Sequence, residues 1–130
     1  MNNLIEVLNS RSPAYRLRSM CAIDDPYIDF LKKQAARHEL KRARILLHPE
    51  EENKYHSMLI VKVKGCVEKI LALPAESKKI QVLKGSFEAR RNGEKVIYGE
   101  DCTVEFNPQH EFEFEVLSDI LIIKEEITYF

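Results

Sequence analysis

Cysteine is scarce in this chain: Cys21, Cys66 and Cys102 are widely separated, odd in number and never in a Cys-x-x-Cys pair. That pattern argues against a disulfide framework and against a zinc finger, and reads as ordinary buried thiols. No apolar run nears the ~20 residues that a membrane-spanning helix needs. Neither sign of charge dominates. Twenty Lys+Arg against 21 Asp+Glu leave a formal net charge of −1, without the basic excess of a dedicated nucleic-acid binder. Phosphate-cradling loops of the Gly-x-x-x-x-Gly-Lys-Ser/Thr or Gly-x-Gly-x-x-Gly kind are missing, and no βαβ alternation supports a Rossmann-type fold. Hydrophobic residues at 45% and charged residues at 32% exclude collagen-like and disordered classes.

What remains is an ordinary globular chain of 130 residues, long enough for one packed core. At the N-terminus Arg11, Arg16 and Arg18 follow the few apolar residues. That order is the reverse of a secretory signal, so a cytoplasmic location is expected. Charge is uneven: residues 1–65 hold 12 Lys/Arg and 8 Asp/Glu, residues 66–130 hold 8 and 13. Lys32, Lys33, Arg37, Lys41, Arg42 and Arg44 crowd together, as a solvated helix face or as a surface for an anion.

Residues 1–23 show no clear periodicity and read as an arm that frays or lies across the fold, ahead of a domain over 24–130. Asp25-Pro26 signals a helix start, with Asp as N-cap and Pro at the first helical position. Tyr27, Ile28, Leu31, Ala35 and His38 recur at helical spacing, which predicts one helix over 26–38. His38 near its end suits the helix dipole. From residue 42 the period changes to two. Strands are expected at 42–48, 58–64, 66–73, 79–90, 95–98, 103–106, 111–116 and 119–127, with a hairpin at Asn92-Gly93. The fold class is therefore mainly β, a small antiparallel barrel or sandwich with one N-terminal helix.

One spacing suggests a family. Gly65 is followed by five residues, Leu71-Ala72-Leu73, four residues, Lys78, six residues and Gly85. This frame resembles the first motif of the cupin superfamily, Gly, five residues, His-x-His, three or four residues, Glu, six residues, Gly. Lys41-Arg42-Ala43-Arg44-Ile45-Leu46-Leu47-His48-Pro49, the acidic loop, and His56-Ser57-Met58-Leu59-Ile60 are similar to the WbuC-type cupins of bacterial surface-polysaccharide clusters. Val82-Leu83-Lys84-Gly85 and Ile123-Lys124-Glu125-Glu126-Ile127-Thr128-Tyr129 resemble that family's Val-Leu-x-Gly strand and closing segment, although the Gly-Pro of the latter is missing. The resemblance covers roughly 24–130 and implies a double-stranded β-helix and a homodimer.

The family's metal-binding positions fall on Leu71, Leu73 and Lys78, and the second-motif histidine falls on Phe112, with His110 two residues early in Asn107-Pro108-Gln109-His110-Glu111-Phe112. Leucine offers no lone pair, and an ammonium repels a cation. No metal and no cofactor are expected there. On this frame Leu71 and Leu73 point inward with Val67 and Lys69, while Arg42, Arg44 and His48 share one face of their strand. The candidate pocket is then Arg42, Arg44, His48, Tyr55 and Lys69, with His56 exposed; a barrel simply filled by side chains is the alternative. Arginines in this setting grip phosphate or carboxylate. The resemblance implies a metal-free, degenerate cupin that binds a small anion such as a sugar or sugar nucleotide. Two alternatives stay open: a metal-independent epimerase or isomerase using His48 with Tyr55 or Tyr98, and a protein-interaction module.

Overall fold

Period-two patterning becomes strands in the computed structural model, which describes residues 2–130. In chain order the elements are β1 (Leu4–Glu6), β2 (Ala14–Leu17), α1 (Asp25–Arg37), β3 (Arg42–Leu46), β4 (Tyr55–Val63), β5 (Val67–Ile70) and β6 (Ala75–Lys84). They continue with β7 (Phe87–Arg91), β8 (Glu94–Tyr98), β9 (Thr103–Phe106), β10 (Phe112–Val116) and β11 (Ile120–Tyr129). One sheet runs β1-β2-β3-β4-β11-β6-β9 and the other β5-β10-β7-β8. Among the described residues no helix is long and apolar enough to cross a membrane.

Two layers of apolar side chains hold these elements. Between the sheets lie Ile80, Val82, Phe87, Phe114, Val116, Leu121 and Ile123. Outside the larger sheet, α1 lays Tyr27, Leu31 and Ala35 on Ala43, Ile45, Leu59 and Val61. Leu31 is wholly buried, a contribution of roughly 1.5–3 kcal/mol for a side chain of that size.

Several expectations shift. The helix covers Asp25–Arg37, and its N-cap is Asp24, whose side chain makes no capping bond. At its other end the His38 backbone N–H bonds the Ala35 and Gln34 carbonyls, and His38 Nδ1 accepts the Leu40 N–H at 3.1 Å. The expected strand 79–90 is two strands. Gly85, at φ +85°, turns the chain from one sheet into the other. Residues 1–23 add β1 and β2 to the larger sheet, and β2 pairs with β3 in parallel, the one exception to antiparallel pairing among the described residues.

Candidate functional site

On β3, Ala43 and Ile45 are buried beneath α1, which turns Arg42, Arg44 and Leu46 toward the facing sheet. Direct pairing across β4 puts Lys62, Ile60 and Met58 beside them. From β5 come Glu68 and Ile70, from β6 Lys78, and from β11 Glu125. Together they enclose a cavity of about 110 Å³ between the sheets. Arg44, Met58 and Glu125 also line a wider hollow of about 480 Å³, which continues outward past His48, His56 and Tyr129.

Four cations and two carboxylates thus share one small space, and they are not evenly paired. Glu68 takes Arg42 Nη1 at 2.6 Å on one oxygen and Lys62 Nζ at 2.6 Å on the other. Burial pushes the Glu68 carboxyl up, but Lys62 and Arg42 outweigh it and hold it below the usual carboxylate range. Lys62 Nζ also sits 4.0 Å above the Phe114 ring, a cation–π contact. Arg42 Nε donates to Ser12 Oγ at 3.2 Å, and Arg44 Nη2 to Ser10 Oγ at 2.9 Å. The N-terminal arm therefore forms part of the cavity wall.

Among the described residues, Arg44 and Lys78 have no carboxylate within 4.0 Å. The Arg44 Nε is buried without any partner. Lys78 is 5% exposed, with the Phe112 ring centroid 5.6 Å from its ammonium. Desolvation lowers the pKa of both groups; Arg42 adds to the effect at Arg44, while Glu125 opposes it at each. Four cations against two carboxylates leave an excess of buried positive charge that Glu125 offsets only in part, which is costly, so this end of the interior has a standing electrostatic demand for an anion.

At the outer hollow His48 is buried, and its ring stacks on His56 with centroids 4.2 Å apart and planes 6° from parallel. Its Nδ1 lies 3.2 Å from both the amide N and the carbonyl O of Ser57; a neutral ring accepts from the first, a protonated one donates to the second. Burial draws the His48 pKa down. Arg16 donates to the His48 carbonyl, tying β2 to this rim.

Of the candidates read from sequence, Arg42 and Arg44 line the cavity, while Arg44 and His48 line the hollow. Tyr55 does not join them. It lies on the other face of β4, exposed, with its hydroxyl donating to Glu126. Lys69 is on the outer face of β5, paired with Glu111 at 3.2 Å. Tyr98 packs in an aromatic cluster against Phe87 and Phe106. The His48–tyrosine pairs expected for acid–base chemistry are therefore not brought together. His56, expected exposed, is half-buried in the stack.

The inward set on β5 is also the opposite of that expected. Val67 is 58% and Leu71 54% exposed, whereas Glu68 and Ile70 face Phe114 and Phe112 across the β10 pairing. The strand ends at Ile70, so Leu71 and Leu73 lie in the following loop, where Leu73 packs half-buried against the core. A one-residue change of phase flips every side chain of a strand. Lys78 and Phe112 do point inward. A metal does not fit these positions: two leucines, an ammonium and a phenyl ring present no lone-pair set, and among the described residues no three His, Cys, Asp or Glu side chains converge.

Lys62, Glu68 and Glu125 are absent from the sequence reading of the pocket. Lys62 had a signal, being the charge that shares the β4 face of Met58 and Ile60 inside an otherwise apolar run. Glu68 was hidden by the wrong phase, and Glu125 by a charged run whose two faces look alike.

No protein-family model matches the sequence, and no curated protein does. Solved structures do resemble the fold. The Cupin_2 domain of an XRE family transcriptional regulator from Enterobacter cloacae matches over 68% of this chain and 96% of its own, at 20% identity and TM-score 0.59. The cupin domain of Schizosaccharomyces pombe Cnp3 matches over 96% and 85%, at 12% identity and TM-score 0.59. The EutQ protein of Clostridium difficile matches over 68% of each chain, at 15% identity and TM-score 0.57. Likeness at such low identity speaks for the fold alone.

Proposed function

We propose that this chain, a cupin by fold, is a non-catalytic binder of a small organic anion, held in the interior cavity by Arg44 and Lys78. One observation carries the reading: Arg42, Arg44, Lys62 and Lys78 all turn into one cavity, and Glu68 satisfies only Arg42 and Lys62. A carboxylate or phosphate entering there meets a guanidinium able to bind two oxygens and an ammonium with no competing carboxylate in contact. The likeness to WbuC-type cupins supplies the class to try first, a sugar phosphate or sugar nucleotide of surface-polysaccharide synthesis. On that reading the phosphate occupies the cavity and the sugar extends into the hollow beside His48. The residues at the metal positions do not suit a metal-dependent step.

The test is thermal unfolding with inorganic phosphate, a sugar phosphate and a nucleoside diphosphate sugar. An anion at 100 times its Kd should stabilise the fold by about 2.7 kcal/mol, a shift of roughly 10 °C for a domain of this size. Arg44→Gln should abolish that shift while leaving unfolding cooperative. Absence of stabilisation by every anion tried would overturn the proposal, and turnover of a sugar nucleotide would overturn its non-catalytic part.

A further inference from the structure

Two lysines are buried in the same cavity and held in different ways. Lys62, 3% exposed, ends 2.6 Å from Glu68 and lies over the Phe114 ring. Lys78, 5% exposed, has no carboxylate within 4.0 Å among the described residues, only the Phe112 ring at 5.6 Å. An ammonium clasped by a carboxylate keeps its proton. One denied both water and a counter-ion releases it more readily, and the free amine is a nucleophile. Burial draws the Lys78 pKa down and the nearby Lys62 charge adds to this, against an opposing pull from Glu125.

We propose that Lys78 captures carbonyl compounds, its Nζ condensing reversibly with the keto or aldehyde carbon of a small oxo acid whose carboxylate Arg44 holds. The inference rests on the reading of the cavity as an anion site and names the ligand class for it. The amine lone pair attacks the carbonyl carbon, a C–N bond forms, and the C=O π pair moves onto oxygen, which takes up a proton. Loss of water from this carbinolamine breaks the C–O bond and leaves C=N. In sum the carbonyl oxygen departs with the two protons of the neutral amine, and nothing is oxidised or reduced. Arg44 and Lys78 line one space with Glu125, a carboxylate with no ion-pair partner within 4.0 Å among the described residues and so free to relay the proton. At about 110 Å³ the cavity is smaller than the roughly 150 Å³ that admits benzene. Glyoxylate or pyruvate is of the right size, and a longer oxo acid must extend past Met58 into the outer hollow.

The experiment incubates the full chain with pyruvate or glyoxylate and sodium cyanoborohydride, then maps modified lysines by peptide mass spectrometry. The reagent delivers hydride to the imine carbon, the nitrogen takes a proton, and the adduct becomes permanent. One carboxyalkyl group should appear on Lys78, roughly tenfold above any other lysine as its activated amine requires. Labelling should be weaker in Arg44→Gln and gone from that position in Lys78→Arg. Melting with pyruvate alone separates the two readings. Stabilisation without an adduct would sink carbonyl capture and leave the anion site standing; neither effect would argue against both for this ligand class. Labelling spread evenly over surface lysines would also overturn capture. The wild-type map decides the matter even if Lys78→Arg folds poorly.

Discussion

Glu68 holds Arg42 and Lys62 at once, with side chains that are only 4–19% exposed. Glu68→Gln removes the carboxylate that pairs Arg42 and Lys62 and leaves two enclosed cations facing Arg44 and Lys78, with only Glu125 left to oppose them. Removing a partner from a buried pair costs roughly 3–5 kcal/mol, and urea unfolding should show a loss of that order. The pH dependence follows the same carboxyl. Its folded pKa lies below the ordinary ~4.3, so its stabilisation is complete above that value and is lost as pH falls through the folded one. The acid limb of the stability curve should therefore flatten in Glu68→Gln, and an unchanged limb would show that other carboxyls control it. His48 acts at milder pH. Burial favours its neutral ring, so its contribution is complete above ~6.5 and declines as pH drops from there toward the lowered folded pKa. Melting temperatures measured from pH 8 to pH 5 should fall less in His48→Gln than in the parent.

At the scale of elements, the junction between β6 and β7 governs how the chain passes from one sheet to the other. A Cβ on Gly85 would overlap the Ile120 carbonyl oxygen and Ser118 Oγ, and the backbone there has φ +85°. Both features disfavour any other residue. Gly85→Ala should cost well over ~1 kcal/mol, and a neutral result in denaturant titration would mean that the Ser118 region gives way freely. The β7–β8 hairpin is gentler: Asn92 at φ 52° and Gly93 at φ 80° are the left-handed pair of a type I′ turn. The N-terminal strands serve a different purpose. By laying Ser10 and Ser12 against Arg44 and Arg42, the arm closes one side of the cavity and gives both guanidiniums a neutral acceptor.

For the molecule as a whole, the alternatives of a filled and an open interior both hold, in different parts. Phe87 stacks on Phe114 at 4.2 Å and Phe106 on Phe112 at 4.7 Å, a packed aromatic layer of which Phe106 and Phe112, with Ala89, Val96 and Tyr98, also border a hollow of about 230 Å³. Near β3 and β5 the charged side chains cannot pack as tightly without losing their partners, and the cavity remains. This division predicts uneven local stability. β4, β11 and β6 run side by side in the middle of the larger sheet with Val61, Ile123 and Val82 all fully buried. Their amides should exchange with deuterium most slowly. β8, an edge strand whose Val96 and Ile97 are exposed, and the short edge strand β1 should exchange first; equal protection throughout would mean that the edge strands are held as firmly as the centre of the sheet.

Periodicity in the sequence was enough to determine the mainly β class, the single helix and the Asn92-Gly93 hairpin, because local alternation records which side of a strand meets apolar atoms. It likewise showed Arg42 and Arg44 sharing a face. It could not determine which way β5 faces, since Val67-Glu68-Lys69-Ile70 alternates weakly and reads equally well in either phase. Pairing with β10 and the attraction of Glu68 to Arg42 and Lys62 decide that phase, and both arise only once strands distant in the chain come together. The same holds for Tyr55 and Lys69, whose types suit a pocket but whose strands turn them outward. Long-range register, not residue type, decided which charges were enclosed and which remained in water.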